Sequence, residues 1–218
     1  MRFSVFLLVF LLLSCKSSLT IIDKPIVFDA QREQLTLDYL RERYGLEQTT
    51  PNIVPQMIVL HWTAIEDFEK SFAAFKAPTL PNWRPDIAGV SGLNVSSQFL
   101  VDRDGTIYRL LPETTMARHT IGLNHLAIGI ENVGGGAEHP LTKKQRKANV
   151  RLVNYLAEKY AIRYVIGHYQ YTQFEDSDLW LEKSTSYRTH KIDPGPTFLN
   201  AVLKKAKKNF LTPPTKHD

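Results

Sequence analysis

Residues 57–61 read MIVLH, and residues 164–168 repeat the pattern as YVIGH. Each is a short unbroken apolar run, typical of a buried strand, closed by a histidine. If the two strands run parallel, His61 and His168 emerge at the same end of a sheet. That is the end at which open α/β sheets bind ligands. One histidine so placed is commonly a hydrogen-bonded structural residue. Two equivalent placements favour metal binding or catalysis, although spacing alone does not make them converge.

The flanking sequence builds the rest of an α/β unit. Residues 30–44 place Leu37, Leu40 and Tyr44 on one helical face, with Gly45 as a C-cap. Residues 66–76 do the same with Phe68, Phe72 and Phe75. The segment 78–92 is rich in proline and glycine and reads as a loop. In 97–111, SQFLVDRDGTIYRLL, two β-rich runs flank Asp104-Gly105, a strong hairpin signal. Residues 127–133 form a further strand that ends at Gly134-Gly135-Gly136. Thr142 and Gln145 have the spacing of a capping box, opening a helix to about Tyr160 with Val150, Val153, Leu156 and Tyr160 inward. A polar, aromatic-rich stretch covers 169–188, and Pro196 starts a last helix to about Lys207. Strands alternate with helices, so the expected fold is a mixed central β-sheet flanked by helices on both faces.

Further chemistry-bearing residues fall on these elements. Glu131 lies inside a strand, and period-two alternation puts it with Gly129 on the face opposite Ile128 and Ile130. A carboxylate there needs a partner or a task. A salt bridge and a general base with a raised pKa are both open to it. In His190-Lys191-Ile192-Asp193-Pro194-Gly195-Pro196, Lys191 and Asp193 project to one side of an extended segment, which Pro194 favours. Taken alone, Asp193 also suits a turn or a helix cap. No HExxH occurs, which excludes the helix-borne zinc protease pattern.

The 218 residues suit a single domain, and 43% apolar with 22% charged residues exclude a disordered chain or a polytopic membrane protein. The balance of 27 Lys+Arg to 22 Asp+Glu is mildly basic. It lacks the basic stripe with interleaved readout residues that a nucleic-acid partner requires. Cys15 is the only cysteine, which excludes an intramolecular disulfide and a thiolate metal site. It follows the apolar run 3–14, FSVFLLVFLLLS, which is too short to span a bilayer and has the length of a signal-peptide core. Leu12-Leu13-Ser14-Cys15 resembles a bacterial lipobox, in which the cysteine becomes lipidated and N-terminal. The expected organisation is a signal peptide at 1–14, a lipidated tether at 15–29, one domain at 30–208 and a disordered tail at 209–218. Lys16, rather than Asp, after the cysteine favours an outer-membrane lipoprotein facing the periplasm.

VLHWT (59–63), SSQFLVDRDGTIYRL (96–110), ARHTIGLN (117–124), AIGIENVG (127–134), VIGH (165–168) and HKIDPGP (190–196) together resemble the zinc N-acetylmuramoyl-L-alanine amidases. These share a fold with phage T7-type lysozyme and the animal peptidoglycan-recognition proteins. The resemblance covers about residues 53–203. It implies one Zn²⁺ ion held by His61, His168 and Asp193, with Glu131 and Lys191 catalytic and His119, Arg118 and Asn124 at the substrate. It also implies a peptidoglycan or muropeptide substrate, with a non-catalytic peptidoglycan-binding lipoprotein as the alternative, and a monomer anchored to a membrane through Cys15. Three features depart from the family pattern. Arg118 stands where Trp is usual, Gln98 where His is usual, and the stretch between His168 and Asp193 is long.

Overall fold

The computed structural model describes residues 19–82, 87 and 89–215. Cys15, with the apolar run before it, lies outside these residues, as does His217. The six strands are β1 (Ile22–Asp23), β2 (Met57–Leu60), β3 (Phe99–Val101), β4 (Ile107–Arg109), β5 (Ala127–Asn132) and β6 (Tyr164–Gly167). They form one sheet in the order β1-β4-β3-β5-β2-β6. Only the β3–β4 pair, joined through Asp104-Gly105, is antiparallel; every other neighbour is parallel. The sheet is therefore mixed, with β2 at its parallel centre between β5 and β6.

Helices α1 (Ala30–Tyr39), α2 (Phe68–Lys76), α3 (Lys143–Lys159) and α4 (Pro196–Leu203) cover it. Alternation sorts the core. Ile58, Leu60, Ile128, Ile130 and Val165 pack against Leu152, Val153 and Leu156 of α3 and Leu199 and Val202 of α4. On the opposite face Met57, Val59 and Ile166 meet Leu123, Tyr171 and Phe174, while Phe72 and Phe75 of α2 pack on Leu100. The α3 capping box forms, with Thr142 Oγ1 accepting from the Gln145 N–H at 3.0 Å.

Several segments behave differently from their sequence pattern. Helix α1 continues as a π-helical turn, Leu40–Tyr44. Its buried face carries Arg32, Thr36, Tyr39 and Leu40, whereas Leu37 is half-exposed. Arg32 is buried because its guanidinium donates to the carbonyls of Phe75, Lys76 and Ala77, groups the end of α2 leaves unpaired. In the stretch expected as a tether, Ile22–Asp23 extends the sheet beside β4 and Ile26 is buried. Phe210 packs on the α3–α4 cluster and the Leu211 N–H donates to Arg163 O at 2.9 Å, so the first residues of the segment expected as a tail are docked there.

The long stretch after His168 starts as a 3₁₀ turn, His168–Phe174, and returns as a packed lobe. Tyr171 and Phe174 enter the core, and Trp180 lies directly on Gly122. Glu182, its side chain fully buried, pairs with Arg43 of the π-helical turn. Glu182→Ala leaves Arg43 without its partner and should lower unfolding free energy by about 3–5 kcal/mol; denaturant unfolding measures this, and a change below 1 kcal/mol would mean that the pair does not hold the lobe.

Candidate metal centre and catalytic cleft

Parallel register brings the two histidines together. Leu60 of β2 is paired with Gly167 of β6 and with Ile130 of β5. The next residues along each strand, His61, His168 and Glu131, therefore leave the sheet side by side, on the face away from α3 and α4. The His61 backbone is pinned from both directions. Its N–H donates to Ile130 O at 2.9 Å, and its carbonyl accepts from Asn132 Nδ2 at 2.9 Å. Asn132 is held in turn by Asn149 of α3, whose Nδ2 donates to Asn132 Oδ1 at 2.7 Å.

Asp193 arrives from the other side of the long lobe. The Tyr169 N–H donates to the Asp193 carbonyl at 3.1 Å, and the Asp193–Pro194 peptide is cis. A Cβ on Gly167 would lie 2.5 Å from the Tyr169 ring and 3.0 Å from Pro194, so only glycine permits this approach.

The three side chains meet in one place. His61 Nδ1 and His168 Nδ1 are 3.0 Å apart, and Asp193 Oδ2 lies 3.2 Å from the first and 3.1 Å from the second. All three residues are buried. Burial opposes ionisation of Asp193, but the two imidazoles beside it outweigh burial and hold the carboxyl well below the usual range. Burial, reinforced by His61, pushes His168 down to about 4, so its imidazole is neutral at pH 7.

His119 fixes the tautomer of His61. Its Nε2 lies 3.2 Å from the Ala127 carbonyl, which can only accept, so Nε2 carries the proton. Burial, with His61 nearby, holds the His119 pKa well below normal, so its Nδ1 is a bare acceptor. That atom lies 3.0 Å from His61 Nε2, which must then be the donor. His61 Nδ1 is left with its lone pair facing His168 and Asp193. Two imidazoles and a carboxylate, with one imidazole oriented from behind, match the chemistry of a zinc donor set. The residues present fit the ion.

A cleft of about 440 Å³ opens over this centre, lined by Trp62, Phe75, Val95, Glu131 and Lys191 as well as the three candidate ligands. A second depression of about 520 Å³, along Asp23, Arg109, Glu113 and Lys159, contains none of the expected site residues. Its carboxylate, Glu113, is occupied by Arg109, Lys159 and Tyr160.

The family whose profile matches residues 48–196 is N-acetylmuramoyl-L-alanine amidase. The chain belongs to this family. Among solved structures, the selenomethionine derivative of AmpD is similar over 84% of this chain and 93% of its own, with 23% identity and a TM-score of 0.53. The amidase LysC from Clostridium intestinale is 24% identical over 70% of this chain and 84% of its own, TM-score 0.47. Human PGRP-IBETAC, solved with a glycosamyl muramyl pentapeptide, is 17% identical over 72% and 88%, TM-score 0.49. A comparison with curated protein sequences gave no match. The amidase-family fold is thus shared, and the His-His-Asp group lies within the matched residues.

The three residues expected at the substrate line the cleft or the pocket beside it, and each also makes hydrogen bonds within the protein. His119 serves His61. Arg118 directs both terminal nitrogens to the carbonyls of Ser91, Leu93 and Ile87 and to the Tyr187 hydroxyl. Asn124 Oδ1 accepts from the N–H groups of His119 and Thr120 at 2.9 and 2.8 Å, fixing the turn that carries His119. Gln98 links strands: its Oε1 accepts from the Gly129 N–H at 2.7 Å and its Nε2 donates to Thr115 O at 2.8 Å. Sequence reading missed Gly129 and Asn132. A Cβ on Gly129 would lie 2.9 Å from the His119 ring, so this glycine seats the residue behind the metal ligand. We expect His119→Ala to weaken zinc binding by about 10–100-fold, with Gly129→Ala in the same direction. Zinc titration against a competing chelator reads this, and unchanged affinity in both would refute the tautomer relay.

Proposed function

We propose that the chain is a zinc-dependent N-acetylmuramoyl-L-alanine amidase, hydrolysing the amide between the N-acetylmuramic acid lactyl group and L-alanine in peptidoglycan or muropeptides. One observation carries the proposal: His61, His168 and Asp193 converge in the cleft that also holds Glu131 and Lys191. When bound there, a zinc ion supplies Lewis acidity and activates water towards a pKa of ~7. The side chains do the rest. The Glu131 carboxylate takes a proton from the attacking water and holds it until the tetrahedral intermediate collapses. It then delivers that proton to the departing L-alanine nitrogen. The Lys191 ammonium donates to the oxyanion that forms on the lactyl carbonyl. The apolar walls from Val95 and Phe75 keep bulk water from competing for these groups.

The same reading places the enzyme on a membrane. Cys15, after the run 3–14, is the proposed lipid attachment point, with Lys16 favouring the outer membrane. The domain would then act as a monomer facing the wall.

Mass spectrometry of products from purified sacculi and from soluble muropeptides tests the activity. Release of free stem peptide is expected. Retention on sacculi without cleavage would instead mean a non-catalytic peptidoglycan-binding lipoprotein. His61→Ala and Asp193→Ala should lose zinc and cleavage together. Glu131→Gln should keep zinc and lose about 10²–10⁴-fold in kcat, and Lys191→Ala about 10²-fold with zinc retained. Full activity in Glu131→Gln would remove the base assignment. Acyl labelling in a bacterial host should disappear in Cys15→Ala; labelling that persists would rule out the anchor.

A further inference from the structure

Beside the metal centre the cleft continues into a side pocket of about 80 Å³. His119, His168, Arg118 and Lys191 line both spaces, so the pocket adjoins the cleft over the candidate metal centre. Tyr187, Thr189 and Lys191 form a half-exposed mouth. Tyr39, Arg118 and Thr120 form a floor that is 1%, 3% and 2% exposed.

Several polar groups here offer protons that no acceptor takes up. Thr120 Oγ1 and Arg118 Nε are buried and make no hydrogen bond among the described residues. The Tyr187 hydroxyl accepts from Arg118 at 3.3 Å, which leaves its own proton to donate. Lys191 adds a cation, and among the described residues no Asp or Glu lines the pocket. The carboxylate that acts electrostatically on Tyr39, Glu182, is itself taken up by Arg43 and the Ser184 N–H. Buried donors without an acceptor are costly, and a concave set of donors beside a cation fits an anionic, acceptor-only group.

We propose that this pocket binds a carboxylate of the substrate: the free α-carboxylate on the second residue of the stem peptide. The inference rests on the amidase reading, which puts the L-alanine amide over the metal. Stem peptides carry a γ-linked glutamate next, whose α-carboxyl is either free or amidated. A carboxylate one residue from a scissile bond held over the candidate metal centre would enter this adjoining pocket. Tyr39 comes from α1, before the matched residues 48–196, and Tyr187 and Thr189 come from the long lobe between His168 and Asp193.

Calorimetry on the zinc-loaded chain carrying Glu131→Gln tests this, using two synthetic muropeptides that differ only in α-carboxylate against α-carboxamide at the second stem residue. The acid should bind at least about tenfold more tightly, the scale of a charge-assisted hydrogen bond. Thr120→Val and Tyr187→Phe, added singly, should each reduce that preference, while Thr120→Ser keeps it. Zinc content and thermal midpoint serve as folding controls. Equal binding of acid and amide, no binding of either, or a preference unchanged in both variants would overturn the proposal. Turnover is assayed separately with native Glu131. If neither muropeptide releases peptide, the amidase reading fails while carboxylate selectivity is still measured.

Discussion

Two imidazole nitrogens and an ionised carboxylate oxygen stand 3.0–3.2 Å from one another inside a buried cleft. Lone pairs packed this closely out of water repel, and the protein must hold them there by rigid scaffolding. Much of the surrounding structure is explained by that constraint. His61 is gripped at both its N–H and its carbonyl, by Ile130 and Asn132. Asn132 is gripped by Asn149, and His61 Nε2 is met by His119. His119 is seated on Gly129 and its turn is tied by Asn124. These are successive layers of support behind one candidate ligand, built from strands, from the long helix α3 and from the turn that carries His119. Preorganisation of this kind lets a small cation enter without rearranging its donors.

The sheet supplies the positional accuracy. In parallel pairing, residues at equal register leave neighbouring strands in the same direction. Pairing Leu60 with both Ile130 and Gly167 therefore fixes the relative positions of His61, Glu131 and His168 in one operation. Shifting either neighbour by one residue would send its functional side chain into the α3–α4 core. The apolar residues Ile58, Leu60, Ile128, Ile130 and Val165 forbid that slip, because each would then face the cleft. Packing of one face thus sets the geometry of the other.

That coupling is why so much of the site was legible in the sequence. The histidines ended apolar runs, and alternation put Glu131 opposite Ile128 and Ile130; both are local properties of strands. The hairpin at Asp104-Gly105 and the capping box at Thr142 were equally local, and both formed. What could not be read was the closure of long loops. Nothing within a few residues of Arg32 indicates that its guanidinium will serve the carbonyls at the end of α2. Nothing near Ile22 marks it as a strand, since two residues carry no periodicity, and β4 alone gives them a partner. Asp193 read equally well as a turn residue, because its role depends on the return path of a chain segment whose packing is tertiary. Arg118 and Asn124 were visible as polar residues near the site, yet their hydrogen bonds run inward, a direction that only the assembled turn defines.

The departures from the family pattern turn out to be connected. Arg118 replaces the usual tryptophan, and its terminal nitrogens bind the 87–93 segment and Tyr187 of the long lobe. The lobe in turn is anchored through Glu182 to Arg43, and the ring of Tyr39 lies under the Arg118 guanidinium. A bulky indole at position 118 would fill the space between α1 and the lobe with apolar surface. An arginine satisfies carbonyls there and brings a cation, which a lobe carrying Tyr187 and Thr189 can use. Gln98, in place of histidine, removes a titratable group from the centre of the sheet and bridges Gly129 to Thr115 with a neutral amide. Neither replacement touches the three candidate ligands. The two histidines of the candidate metal centre are thus set by the strands, while the wall beside it is built from an N-terminal helix, an arginine and the lobe between His168 and Asp193.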